Sequence, residues 1–264
     1  MIRALILRNL RHHARLLLAV LPALALMELL IVWLGAQIDM GPGLLNLFEM
    51  MVPPAIRSFL NTRMFAFPGF VAFGFQHPVV LSGAIAFIVT VATVPAAERE
   101  SGLLDLILAR PLVRGHYLAG ALTLVVGSAL VLPLAVLAGC GAGLALVRVE
   151  NEIAWVGYSA AAAKLALLLL CIGGYALLIA AVSRRRGRAV AQVTGLTLGF
   201  FFLDVLCRAR ASLAPLHWLT PFKYFDPVPA AVGPGILPRD VLVLLGAFVV
   251  TVAIAFARFR RQDL

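Results

Sequence analysis

The sequence has little charge for its length. Asp, Glu, Lys and Arg make up 13% of its 264 residues, whereas about 25% is usual for a soluble domain. Hydrophobic residues make up 62%, and the mean hydropathy is +1.02. These values exclude a disordered chain and a water-soluble globule. They indicate an integral membrane protein.

Cysteine and the common catalytic motifs are also scarce. The three cysteines, Cys140, Cys171 and Cys207, lie far apart in or beside apolar segments, so they predict neither a disulfide framework nor a zinc site. There is no H-E-x-x-H motif and no G-x-x-x-x-G-K-[ST] motif, the loop that cradles ATP phosphates. The chain is therefore predicted not to be an enzyme, to bind no metal and to hold no cofactor of its own.

The charged residues are mostly basic: 22 Lys and Arg stand against 12 Asp and Glu, which gives a formal net charge of +10. The arginines form short clusters between apolar runs, a distribution typical of membrane flanks rather than of a nucleic-acid surface. If the N-terminus is cytoplasmic, fourteen cations fall on its side of the membrane and seven on the other. The sequence therefore predicts a multi-pass protein of the cell inner (cytoplasmic) membrane with both termini in the cytoplasm and no nucleic-acid partner.

Long apolar segments dominate the sequence. A spanning helix needs about 20 mainly apolar residues, and six segments meet this requirement. The third is longer than one crossing, and Pro133 with Gly139, Gly141 and Gly143 offers places for it to bend. The predicted fold is all-α, one transmembrane domain over residues 1–264 with spans near 16–38, 73–97, 117–147, 153–182, 189–207 and 241–257.

The N-terminal residues 1–15 are basic and amphipathic. Ile6, Leu10 and Ala14 recur at four-residue spacing, while arginines occupy another face. This pattern predicts an interfacial helix on the bilayer surface, with a basic flank of no separate role as the alternative. The external segments 39–72 and 208–239 are rich in proline but too apolar for disorder, which favours half-inserted helices and interfacial anchors.

Three ionisable residues fall inside predicted spans, where charge is costly and usually functional. Glu28 is predicted to line a pathway or a subunit interface. Lys164 is predicted to do the same or to extend to the external interface. Asp204 is predicted to pair with Arg208 one helical turn later.

The stretch from 98 to 114, between spans two and three, is the most informative. Leu103, Leu104, Ile107 and Leu108 repeat at helical spacing, and Pro111 should end the helix. We expect one short helix with acidic residues at its start and arginines at its end, on the cytoplasmic side. Its apolar face predicts a docking surface for another protein, or a helix lying on the bilayer.

This stretch resembles ABC-2 type transporter permeases, the membrane subunits of ATP-binding-cassette exporters. The tail from Phe259 to Leu264 and the segment 219–227 are also similar to stretches found in these permeases. Leu103 and Ala121 depart from the family, which often has Thr and Lys there. The resemblance implies a cytoplasmic coupling helix that docks into the ATPase subunit, with these contact candidates: Glu98, Glu100, Gly102, Leu104, Asp105, Arg110, Pro111 and Arg114.

The resemblance also implies partners. ATP and Mg would be bound by a cytoplasmic ABC ATPase subunit, present in two copies, and a second permease copy would complete a homodimer in the lipid bilayer. The implied activity is export of a hydrophobic or amphiphilic substrate. Two alternatives stay open: a permease for maturation of the copper enzyme nitrous oxide reductase, and a non-transporting membrane anchor or assembly factor. An extracytoplasmic accessory protein also stays open. The first alternative draws on an external methionine cluster that suits Cu(I): Met40, Met50, Met51 and Met64, with His77 beyond.

Overall fold

The computed structural model of the chain describes residues 2–38, 50, 66–108, 114–147 and 155–261. These residues are almost wholly helical and include no β-strand, so the predicted all-α class is confirmed. Two 3₁₀ segments, Ala211–Leu219 and Pro221–Tyr224, precede the ninth helix. The helices are α1 (Ile2–Gln37), α2 (Phe67–Gly74), α3 (Pro78–Ala92), α4 (Val94–Glu100), α5 (Leu103–Leu108), α6 (Arg114–Leu146), α7 (Trp155–Val182), α8 (Arg186–Ala209), α9 (Pro227–Val232) and α10 (Pro238–Arg260).

Six stretches of the described chain are long and apolar enough to cross a membrane, which confirms the predicted number of spans. Their ends differ from the prediction by a few residues at most positions. They are His13–Gln37, Phe67–Ala92, Gly115–Leu146, Trp155–Val182, Arg186–Ala209 and Pro238–Arg260.

The second span differs most from its predicted bounds of 73–97. It begins at Phe67 and consists of α2 and α3, joined by a turn that ends at His77. The His77 Nδ1 atom accepts a hydrogen bond from the backbone N–H of Val79 (3.3 Å) and caps α3. The span ends at Ala92 because Pro95 has no N–H to continue the hydrogen-bond ladder. Residues 94–97 therefore belong to a separate helix, α4.

The N-terminal segment and the first span form one continuous helix, α1, rather than two separate elements. With 36 residues, α1 is about 54 Å long at 1.5 Å per residue, against a hydrocarbon core of about 30 Å. Pro22 lies within α1 without ending it. The start of α1 therefore extends beyond the bilayer core, and its position on the membrane surface stays a prediction.

The centre of the bundle is α7, which packs against α3, α6, α9 and α10. Four of its leucines, Leu165, Leu168, Leu169 and Leu177, are fully buried together with Ile172. By contrast, α8 and α10 expose large apolar side chains such as Phe202, Leu206 and Leu242. Such exposed apolar faces are those expected against acyl chains or a second subunit.

The glycines of the third span bring α6 close to its neighbours. A Cβ added to Gly139 would lie 2.1 Å from the backbone oxygen of Ala25, and one added to Gly143 would lie 2.7 Å from the Val32 Cβ atom. The helix runs unbroken through Pro133 and the glycines. Gly139 and Gly143 thus provide close packing against α1, as small residues do in membrane bundles, and the bend predicted at Pro133 and the glycines stays a prediction.

We predict that Gly139→Ala destabilises the chain by about 1–3 kcal/mol, because the added methyl group meets the α1 backbone and not a side chain that can move. The measurement is thermal unfolding of the purified chain in detergent. Gly127→Ala in the same helix is the matched control, since a Cβ there meets nothing within 4 Å. Equal stability of the two variants would contradict the packing argument.

The proline-rich residues 211–232 fold as short helices against the bundle. Phe222, Phe225 and Val228 are buried in the main core, and α9 contacts α2 and α7. Most of the first external segment, including Met40, Met51 and Met64, lies outside the described residues. The interpretation of that methionine cluster therefore stays a prediction.

Candidate coupling segment and transmembrane cleft

The described residues between spans two and three form two short helices instead of the single helix predicted. We call residues 94–108 the coupling segment: α4, a turn at Ser101–Gly102, and α5. Gly102 has φ +71°, a conformation that side-chain-bearing residues seldom adopt. The two glutamates consequently lie at the end of α4 and not at the start of the leucine-rich helix.

Glu98 is an internal anchor. It is buried, and its carboxylate accepts hydrogen bonds from the Arg8 guanidinium and the Tyr117 hydroxyl. Charge-assisted bonds of this kind are the stronger class. Glu98 thus joins α1, α4 and α6, and its carboxylate is directed into the chain rather than towards a docking partner.

Arg99 and Glu100 form hydrogen bonds with the junction between α7 and α8. The Arg99 Nη1 atom donates hydrogen bonds to the backbone oxygens of Ala181 (3.1 Å) and Ser183 (3.1 Å). The Glu100 Oε2 atom accepts one from the backbone N–H of Arg186 (2.8 Å), the first residue of α8. A cation at a helix C-terminus and an anion at an N-terminus both complement the helix dipole. The coupling segment is therefore bonded to spans four and five.

Sequence reasoning missed Arg99, although its position between two glutamates in a polar segment was a signal. Its guanidinium also lies 5.8 Å from the centre of the Phe259 ring, and the Phe259 ring stacks on Tyr117. Through Arg99, the coupling segment therefore also contacts Phe259 in α10, the last span.

The leucines of α5 divide between an inner and an outer face. Leu104 is fully buried with Tyr117, Leu118 and Phe259. Leu103 and Leu106 are 40% and 70% exposed. Among the described side chains, the apolar surface available to a partner is thus formed by Leu103 and Leu106, and Leu104 anchors α5 to the bundle.

Four of the docking candidates cannot be placed in full. Asp105 lies in α5 and Arg114 begins α6, but their side chains lie outside the described part of the structure. Arg110 and Pro111 lie outside the described residues altogether. Their proposed contacts with an ATPase stay predictions.

Glu28 lies inside the bundle, on α1 opposite the end of α2. It is fully buried, and a Cβ added to Gly74 would lie 2.1 Å from its Oε2 atom. Neither carboxylate oxygen has a hydrogen-bond partner among the described residues. A buried carboxyl without partners is costly in its charged form, and the glycine supplies the space that it occupies.

Lys164 is also buried, which excludes the alternative that it extends to the external interface. Its Nζ atom donates to the carboxylate of Asp240 and to the backbone oxygen of Tyr224 (2.9 Å). Lys164 therefore joins α7 to α10 and to the second 3₁₀ segment. The partners are 76 and 60 residues away in the sequence.

A cleft of about 840 Å³ opens between α3 and α8. Its walls are mostly apolar, as in ligand sites of this size. From Val190 to Arg208 it follows α8 for about 27 Å at 1.5 Å per residue, nearly the thickness of a hydrocarbon core. The apolar walls include Leu81, Ile85, Val89, Leu198, Phe201 and Val205, and the polar end contains Gln76, Asp204, Arg208 and Asp226.

The charged residues at the polar end of the cleft form a hydrogen-bond network. Asp204 accepts a hydrogen bond from the Nε atom of Arg208 (2.8 Å), which confirms the predicted pair, and its other oxygen lies 2.8 Å from the Nε2 atom of His217. Asp226 lines the cleft without an ion pair among the described residues. Burial raises the pKa of the Asp226 carboxyl above its ordinary value, although the charges of Arg208 and Lys164 oppose this.

Six apolar spans, a short segment hydrogen-bonded to three of them, and an amphipathic cleft between spans define a multi-pass membrane protein of the permease class. The chain belongs to the ABC-2 transporter family: the family model described as ABC-2 family transporter protein matches residues 14–264. It is thus a membrane permease of an ABC transporter, and the family implies an ABC ATPase partner. None of the curated proteins compared with the chain matches it.

Proposed function

We propose that this permease couples ATP hydrolysis by a separate ATPase subunit to export of a hydrophobic or amphiphilic substrate through the cleft between α3 and α8. One observation carries the proposal: the coupling segment is hydrogen-bonded to α8, and α8 also forms one wall of the cleft. Glu100 binds the first residue of α8, and later residues of the same helix form one wall of the cleft. A displacement of the coupling segment therefore moves that wall as a rigid body.

The ATPase subunit is proposed to bind the exposed face of α5, formed by Leu103 and Leu106. ATP and Mg²⁺ are bound by that subunit, because the sequence of the permease has no P-loop motif. In this proposal the permease itself is not an enzyme, and each permease copy binds one ATPase copy.

A second permease copy is proposed to complete the transporter. Gly195 and Gly199 lie four residues apart on α8, and a Cβ added to either meets nothing within 4 Å. Exposed small residues at this spacing let two membrane helices approach closely, and twofold association is the commonest arrangement of identical chains. The homodimer would bring the two clefts to opposite sides of its axis.

The proposed location is the cytoplasmic membrane, with both termini and the coupling segment in the cytoplasm. The exposed arginines that follow α7 support this orientation, since cytoplasmic loops carry an excess of cations. In the same orientation the polar end of the cleft faces the external side, where an exported amphiphile would leave.

The first experiment is a mild-detergent pulldown of the tagged chain from its native membrane, followed by mass spectrometry. We expect an ABC ATPase with a P-loop to be recovered at low and at moderate salt. The complex is then placed in proteoliposomes, and ATP-dependent loss of a labelled amphiphile is measured. Recovery of the chain without an ATPase at any salt concentration would overturn the proposal and favour the anchor alternative.

A further inference from the structure

One carboxylate at the polar end of the cleft forms no ion pair with any residue that the structure describes. Arg208 is neutralised by Asp204 at 2.8 Å, and Lys164 is neutralised by Asp240. Lys223 lies over the ring of Trp218, 3.3 Å from its centre. In the described part of the chain, Asp226 is the charged group of the cleft that forms no ion pair.

The surroundings of Asp226 make a negative charge there costly. Its side chain is half-buried at the junction of the second 3₁₀ segment and α9, between Phe225 and Val228, which are both buried. The carboxylate accepts a hydrogen bond from the backbone N–H of Val228, but a carboxylate that loses water without gaining an opposite charge is still destabilised. A bound cation would restore the lost interaction, and the apolar walls below would hold a hydrocarbon chain.

We propose that the cleft binds an amphiphile through its ammonium group, with Asp226 as the recognition residue and the walls between α3 and α8 as the site of the alkyl chain. This inference rests on the proposed function and deepens it, since it names the substrate class. The charge of the site is complementary to an ammonium group and opposed to an anionic head group. The length of the cleft matches an extended chain that crosses much of the bilayer.

The test measures equilibrium binding of labelled dodecyl probes to the full chain in nanodiscs, with empty nanodiscs subtracted. The four probes share one alkyl chain and differ in head group: trimethylammonium, phosphocholine, phosphate and maltoside. We expect Asp226→Asn to weaken the two ammonium-bearing probes by about 10-fold, as loss of one partly buried charge pair does, and to leave the maltoside probe within about twofold. Asparagine is as good a helix N-cap as aspartate, so α9 is retained.

A second variant separates this inference from the proposed function. Ala86 is exposed on α3 and lines the cleft, so Ala86→Trp fills the space for the alkyl chain and should weaken all four probes alike. If Ala86→Trp weakens binding but Asp226→Asn has no selective effect, the ammonium inference is wrong and the cleft proposal stands. If Ala86→Trp changes nothing, both are overturned.

The two ammonium-bearing probes also distinguish the source of the head group. Tighter binding of the phosphocholine probe would assign the site to a zwitterionic lipid whose phosphate lies near Arg208. Tighter binding of the trimethylammonium probe would assign it to a singly charged cationic amphiphile. Either result supports ammonium recognition, whereas tighter binding of the phosphate probe than of both would overturn it.

Binding should also depend on pH in a defined direction. Burial, the largest cause, and the charge of Asp204 raise the pKa of the Asp226 carboxyl, whereas Arg208, Lys164 and the hydrogen bond from the Val228 backbone N–H lower it. Because the net shift is upward, protonation begins at a higher pH than for an ordinary aspartate. Affinity for the trimethylammonium probe should therefore fall as the pH is lowered, and the Asp226→Asn variant should lose this dependence.

Discussion

Replacing Lys164 with methionine should destabilise the chain by about 3–5 kcal/mol, the cost of leaving one partner of a buried ion pair uncompensated. The variant keeps the length of the side chain but removes the charge that faces Asp240. It also leaves the backbone oxygen of Tyr224 without its hydrogen bond. The expected result is a large fall in the midpoint of chemical or thermal unfolding, measured in detergent.

Two further variants make this prediction specific. The double variant Lys164→Met with Asp240→Leu removes both charges and should recover most of the lost stability, because a well-packed apolar pair replaces a buried ion pair at little cost. Lys223→Met is the matched control, since Lys223 is the other lysine of the sequence, is only partly buried and forms no ion pair with the described residues. A double variant as unstable as Lys164→Met alone would show that the ion pair is not the source of the effect.

The parts of the fold that could be predicted depend on local sequence. The six spans follow from the length and hydropathy of single segments, so they were predicted correctly. The Asp204–Arg208 pair was predicted because residues four apart on a helix are neighbours, and the structure confirms it. The turn at Gly102 also has a local cause, but glycine tolerates many conformations, and its presence alone did not indicate that the coupling segment would divide.

The parts that could not be predicted depend on residues far apart in the sequence. Lys164 meets Asp240 across 76 residues, and Arg8 meets Glu98 across 90. Hydrophobic spacing identified the leucines of α5 as one apolar set, but it could not show that Leu104 faces Phe259. The cleft is a product of the arrangement of α3 and α8, and Asp226 lies in the segment 208–239, for which the sequence predicted only half-inserted helices and interfacial anchors.

Replacing Leu106 with glutamate should abolish binding of the ATPase subunit while the permease stays folded. Leu106 is 70% exposed on α5, so a charge there costs little in the isolated chain. In a complex the same charge would be buried in an apolar contact without a partner, and a central contact residue commonly contributes 2 kcal/mol or more, roughly a 30-fold change in affinity. The measurement is the amount of ATPase recovered with the tagged permease, relative to the unmodified chain.

Leu104 provides the contrasting result from the same helix. Leu104→Ala should cost about 2–5 kcal/mol of stability, because it leaves a cavity beside Tyr117 and Phe259. Any loss of ATPase in that variant should follow its loss of folded protein. Leu106→Met, which keeps the side chain apolar, should retain the ATPase and serves as the conservative control.

These variants separate a docking surface from a structural one, because exposure and burial predict opposite results for two leucines that are two residues apart. If Leu106→Glu keeps its ATPase at moderate salt, the exposed face of α5 is not the contact, and the binding surface must involve other residues of the cytoplasmic side. If Leu106→Glu loses the ATPase with an unchanged unfolding midpoint, the force that moves α8 enters the permease through α5. The bonds of Arg99 and Glu100 to the α7–α8 junction would then be the path by which that movement reaches the cleft.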